Sequence, residues 1–192
     1  MRLIVTIVIF VLFSMSAKSQ ITKGTWLLGG TVNFSSIKTT NASYPNTVYP
    51  ESNTIHLGVS PNVGYFLMDR FAAGLRISFD WDKFKTINGL ITSNNSRYTV
   101  GPFARYYFLD TEKPVNLFTE ASYQLGSVNF HPQNGPIHIF LVAAGPVVYF
   151  NSSIGLEFTI GYYQRSEEIK DNYKTEKKSF QLNIGLQIHL SK

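Results

Sequence analysis

A side-chain period of two, repeated in one segment after another, is the feature that most limits what this chain can fold into. In residues 60–79, SPNVGYFLMDRFAAGLRISF, the approach places Val59, Pro61, Val63, Tyr65 and Leu67 on one face and Ser60, Asn62 and Gly64 on the other. A polar turn follows at Met68, Asp69 and Arg70. On the way out, Phe71, Ala73, Leu75, Ile77 and Phe79 oppose Ala72, Gly74, Arg76, Ser78 and Asp80. Successive side chains leave a strand on opposite sides, so this alternation reads as a β-hairpin. The pattern recurs at 101–123, GPFARYYFLDTEKPVNLFTEASY, and at 145–163, GPVVYFNSSIGLEFTIGYY. Each copy has a proline, an aromatic four residues on (Tyr65, Tyr106, Phe150), a polar turn and an outgoing strand.

Extended over the whole chain, the alternation predicts eight strands, at 25–35, 54–67, 71–82, 97–108, 116–128, 137–150, 154–165 and 179–190. Long polar connections at 37–53, 83–96, 129–136 and 166–178 alternate with short turns. Each strand exceeds or matches the roughly 9–11 tilted residues that cross a bilayer. An even strand count, with long loops on one side and both termini on the other, predicts an all-β fold. The expected form is an eight-stranded antiparallel up-and-down transmembrane β-barrel, its long loops outside and its short turns in the periplasm.

The first nineteen residues stand apart. Arg2, an apolar run from Leu3 to Phe13, and the small residues Ser14, Ser16, Ala17 and Ser19 form the pattern of a secretory signal peptide. Cleavage after Ala17-Lys18-Ser19 would leave Gln20 first. The domain reading is therefore a signal peptide at 1–19 and a barrel domain at 20–192. The apolar run falls short of the about 20 residues of a spanning helix.

Which face lies inside is decided by size. A soluble carrier of the lipocalin kind would turn its apolar face inward, and a membrane barrel would turn it to lipid. Eight strands leave a bore barely wider than its own side chains. The polar face is also the small one: ten of the fourteen glycines fall on it, among them Gly29, Gly58, Gly101 and Gly185. The other face carries Trp26, Phe34, Tyr65, Phe79, Trp81, Tyr106, Phe158, Tyr162 and Phe180. That face is expected outward, against lipid. Tyr65, Tyr106, Phe108 and Phe150 would form a periplasmic aromatic belt; Phe79, Trp81, Tyr98, Tyr123 and Tyr162 would form an outer one. Pro61, Pro102 and Pro146 stand inside strands, where proline cannot donate to the ladder, and their equivalent placement suggests a repeated bulge.

Inward parity also collects charges. Arg76, Arg105, Glu120 and Glu157 lie a few residues from short turns, at similar heights, and are expected to pair as a salt-bridge cluster that closes the lumen. Asp80, Asp82 and Arg165 would sit higher, within reach of water. His56, His131, His138 and His189 have no ligand spacing, so no metal or other cofactor is expected. There is no cysteine, which excludes disulfides, thiolate sites and a lipidated N-terminal cysteine. No serine, histidine and acid are spaced as a hydrolytic set, and the reading is of a protein that is not an enzyme. The formal charge of +5 includes Arg2 and Lys18 of the leader, and the remaining basic residues are scattered apart from Lys174, Lys177 and Lys178. Nucleic acid is not an expected partner.

On these residues the chain resembles the small single-domain outer-membrane β-barrel family common in the Bacteroidota, and more distantly the OmpA and OmpX type of barrel. The resemblance covers residues 20–192. It rests on the leader ending Ser19-Gln20, the eight alternating strands and the hairpins with G-P-x-x-x-Y-F-like turns. It departs where the chain ends in His189-Leu190-Ser191-Lys192 rather than in an aromatic residue. It implies location in the outer membrane, with outer-membrane lipids and the outer-membrane assembly machinery as partners. The expected role is a non-enzymatic one, the barrel anchoring surface loops for envelope integrity or for recognition of an extracellular ligand. Tyr44, Tyr49, Asn88, Tyr173 and Lys174 are the candidate recognition residues. The alternatives are a small pore or transporter and, behind it, a lipid-modifying enzyme.

Overall fold

The structure is a computed structural model and describes residues 21–39, 43–44, 47–48, 52–86, 92–110, 113–130, 133–169 and 173–190. Eight long strands form one closed barrel: β1 (Trp26–Thr39), β4 (Ser52–Met68), β5 (Phe71–Thr86), β6 (Thr92–Tyr107), β7 (Val115–Phe130), β8 (Gln133–Tyr149), β9 (Ile154–Ile169) and β10 (Tyr173–Leu190). Between β1 and β4, the two-residue strands β2 (Ser43–Tyr44) and β3 (Thr47–Val48) make a separate ribbon. Every long strand pairs antiparallel with its neighbour in the chain, and β1 closes on β10. The fold is the predicted eight-stranded antiparallel up-and-down barrel.

The strands are staggered. Partners followed across the ladders run Trp26, Tyr65, Ala73, Ala104, Ala121, Val142, Tyr162, Phe180. The β1–β10 register, in which Trp26 faces Leu190, would set Phe180 opposite residue 36, ten positions beyond the start at 26. Such a stagger tilts strands by about 35–45° from the axis, so each residue climbs about 2.5 Å.

The alternation sorts side chains as the sequence predicts. Val63, Leu75, Ile77, Phe79, Val100, Leu125, Phe158, Ile160 and Leu186 are exposed on the outer surface. Asn62, Arg76, Ser78, Thr99, Arg105, Glu120, Gln124, Glu157 and Gln187 are buried within. A surface of this kind, apolar outside and polar inside, has no hydrophobic reason to stand in water.

Three features differ from the sequence reading. The strands run further at the long-loop end: β5 and β6 pair as far as Lys85↔Thr92, and β9 and β10 as far as Ile169↔Tyr173. Most of what reads as loop is a continued hairpin, because backbone pairing persists after both faces have become polar and the alternation has vanished. The prolines sit in no bulge. Register is identical on either side of Ser60–Pro61, Gly101–Pro102 and Gly145–Pro146, as in Val59↔Phe79 and Asn62↔Arg76. The ladder opens for two residues toward the following strand, where proline has no N–H to give. The register shift that does occur lies beside the first short turn, between Phe66 and Met68, where Arg70 takes a positive φ of 67°. Finally, Leu27, an apolar residue with the parity of the small polar face of β1, points into the bore and is fully buried.

The short-turn end is also sealed by the chain preceding β1. The Gly24 N–H donates to the Phe66 carbonyl (3.0 Å), the Phe66 N–H to Thr25 (2.9 Å) and the Arg70 N–H to Ile21 (2.9 Å). These bonds stitch residues 21–25 under the mouth, and the Ile21 side chain enters the core.

Candidate functional site

The bore is filled in layers. At the short-turn end lies an apolar plug made of Ile21, Leu27, Phe66, Ala72, Phe103, Tyr107, Phe118, Val147 and Tyr149. His189 is buried among its rings, 5.6 Å from Phe66 and 5.5 Å from Tyr149 between centroids. The expectation that bulky aromatics stand outside holds for the outer face only. These inward rings have inward parity in the sequence, next to the short turns, and the barrel's floor leaves room for them because water is kept out there from below.

Directly above the plug stand the four charged residues singled out from sequence. Arg76 donates to Glu120 through Nη1. Arg105 reaches the other oxygen of Glu120 from Nε (2.9 Å) and Nη2 (2.7 Å). Its Nη1 bonds to Glu157, and Gln187 closes the chain with a 3.1 Å bond from Nε2 to Glu157. Arg105 also donates to the Tyr107 hydroxyl (3.1 Å). All four ionic side chains are buried. Two guanidinium groups and two carboxylates held in one alternating row leave no net charge to be neutralised, which is the condition under which buried ions are tolerated.

A belt of neutral polar groups comes next. Gln124 Oε1 accepts from Ser78 (2.8 Å) and Thr99 (3.0 Å). Beyond it the bore widens into a second set of charges. His56 Nδ1 lies 2.6 Å from Asp82 and its Nε2 3.5 Å from Asp80; Arg97 bonds Asp82 at 2.5 Å, and Arg165 Nε lies 3.0 Å from Glu167, an ion pair without hydrogen-bond geometry. Asp80, Asp82 and Arg165 are thus in the upper bore, partly exposed. Among the described residues, no three His, Cys, Asp or Glu are placed to hold a metal ion. A cavity of about 540 Å³ occupies this upper half, reaching down to Arg76 and Gln124 and up to Lys177 and Lys178.

Sequence reasoning left out Tyr107, Gln187 and Arg97. Their inward parity was available; their partners lie on other strands and were not. Of the recognition candidates, Tyr49 and Asn88 lie outside the described residues, and Tyr44, Tyr173 and Lys174 are described as strand backbone alone. The outer face carries ring pairs near both ends: Trp26–Tyr65 at 5.1 Å and Tyr106–Phe108 at 5.3 Å toward the short turns, Tyr162–Phe180 at 5.4 Å toward the long ones.

No family model matches the sequence, and no curated protein matches it. Solved structures share the fold, among them a surface protein and an outer membrane protein. Neisserial surface protein A (NspA) aligns with 86% of this chain and 97% of its own, at 15% identity and a TM-score of 0.51. The outer membrane protein OprG from Pseudomonas aeruginosa aligns with 92% of this chain and 100% of its own, at 9% identity and a TM-score of 0.51.

Proposed function

We propose that this protein is an integral outer-membrane barrel whose role is to hold its extended outer hairpins at the cell surface, as a non-enzymatic scaffold for envelope integrity or surface recognition. The observation that carries the reading is an apolar outer girdle wrapped around a bore closed by two successive buried layers. An apolar girdle of this kind suits lipid. At about 2.5 Å per residue, some ten residues cross a hydrocarbon band about 25 Å tall. Strands of 14 to 18 residues therefore continue past it on the long-loop side. The two solved relatives in fold are, by their descriptions, a surface protein and an outer membrane protein.

A filled bore argues against a through-channel. The arrangement also gives no support to hydrolytic chemistry: both ring nitrogens of His56 face carboxylates, leaving neither to take a proton from a hydroxyl. The test is to express the full chain, isolate outer membranes and compare boiled with unboiled samples on an SDS gel. Planar-bilayer recording on the purified protein and proteolysis of intact cells complete it. A heat-modifiable band, no unitary conductance and cleavage within the outer hairpins are the expected results. Steady single-channel conductance would replace the scaffold reading with the pore, and a soluble periplasmic protein would overturn both.

A further inference from the structure

The seam that closes the barrel is paired over only part of its length, and the opening beyond it has chemistry. β1 and β10 pair from Trp26↔Leu190 to Val32↔Ile184; among the described residues no ladder pair joins them beyond that point, although both strands continue. At the end of the seam Asn33 Nδ2 spans the opening, 3.2 Å from Asn183 Oδ1 and 3.4 Å from the Leu182 carbonyl, standing in for the missing ladder. Beside the opening, Leu182 (78%), Phe180 (75%) and Phe34 (68%) are the most exposed apolar side chains described. Phe180 packs on Tyr162 at the upper end of the girdle, which sets the split at the height of the outer leaflet if the membrane reading holds.

Open strand edges are not stable against hydrocarbon; they persist where they line a polar cavity. This split does so: the upper cavity is lined on one side by Thr31 and Asn33 of β1 and on the other by Gln181 and Asn183 of β10. Arg76 and Arg165 of its lining face Glu120 and Glu167, whereas at its upper rim Lys177 and Lys178 share the single carboxylate of Glu176, 3.5 Å from Lys178. We propose that the split is a side entrance by which an amphiphile of the outer leaflet, one with an acyl chain and an anionic head, seats its head in the upper cavity. The tail stays outside on Phe34, Phe180 and Leu182, and the head is drawn to Lys177 and Lys178 at the rim. A free fatty acid and a lysophospholipid share this chemistry.

The inference rests on the membrane reading above, and the test separates the two. The full-length protein in lipid nanodiscs is irradiated with three probes carrying a diazirine next to the head: a fatty acid, a lysophosphatidylglycerol and the corresponding fatty alcohol. Adducts are then mapped by mass spectrometry. Labelling of girdle residues such as Leu75 and Ile160 by any probe establishes membrane insertion, and its absence overturns the membrane reading. Adducts on the inward-facing Thr31, Gln181 or Asn183 are expected with one or both anionic probes, at about tenfold the alcohol's yield, equivalent to about 1.4 kcal/mol. Which acid labels identifies the source of the head group. The Lys177→Ala/Lys178→Ala variant should lose most of the inward adducts and keep those on the girdle. Labelling confined to the girdle, equal labelling by the alcohol, an unaffected double variant, or a dimer pairing the two edges between copies would each overturn the proposal.

Discussion

The guanidinium carbon of Arg105 lies 4.3 Å from the centroid of the Phe118 ring, so one side chain joins the apolar floor of the bore to the ionic layer above it. A cation over an aromatic face is attracted by the ring's quadrupole, and more strongly once desolvated. The same guanidinium supplies hydrogen bonds to Glu120 and Glu157, which sit on different strands, β7 and β9. Stability at the middle of the bore therefore turns on Arg105.

Arg105→Ala should be the most damaging single change in this layer, because it leaves the buried Glu157 without a cation while Glu120 keeps Arg76; about 3–5 kcal/mol is the scale for breaking a buried pair. Urea unfolding in micelles, followed by loss of the fast-migrating band, measures it. The double variant Arg105→Met, Glu157→Gln, which leaves the Arg76–Glu120 pair in place, should recover much of the loss. Equal damage from the double variant would mean that packing, not the uncompensated charge, sets the cost.

Ile160→Arg puts a charge in the middle of the outer girdle, where Ile160 is exposed. In a bilayer the expected cost is about 2–4 kcal/mol. In water the change would be close to neutral, so unfolding measured in lipid vesicles distinguishes the two surroundings.

Ile21→Ala should loosen the floor by about 2–5 kcal/mol, the range for emptying a packed aliphatic site. Proteolysis within residues 21–25 is expected to accelerate in parallel. A protected Thr22–Gly24 segment in the variant would count against the tuck of the chain under the mouth.

Pro102→Ala restores a donor where the β6–β7 ladder is open. The new bond, about 0.5–1.5 kcal/mol, and the lost restriction on the unfolded chain, about 0.4–1 kcal/mol, nearly cancel. The expected result is a small net change, with the new backbone amide at position 102 exchanging slowly by NMR. By contrast Gly101→Ala should fail, since a Cβ there would run into the Tyr123 carbonyl of the next strand.

Parity along the strands was enough to read the strand count, the antiparallel order and the inward set containing Arg76, Arg105, Glu120 and Glu157. It works because a slip of one residue would expose every charge to the outer face, so the pattern is strongly constrained wherever the two faces differ. Where the faces stop differing, the signal stops too: Lys83, Lys85, Asn94 and Glu168 are strand residues without a hydrophobic partner pattern, and they read as loop. Phe66, Phe103, Tyr107 and Phe118 escaped for another reason. Their parity was inward, but size pointed the other way, and size is no guide at a floor that the preceding chain seals from below. The split between β1 and β10 leaves no local mark at all, because it is a relation between residues about 150 positions apart.

The outer hairpins end on fixed rails: β5 and β6 remain in register up to Lys85↔Thr92. A rail of this kind sets a counting rule for anything grafted between those two residues. Inserts that add equal, even numbers of residues to the two arms keep each side chain on its own face, and an odd addition to one arm turns that arm over. Variation at this tip can thus change length in steps without disturbing the girdle beneath, which makes the hairpin an arm whose reach is adjustable and whose base is not.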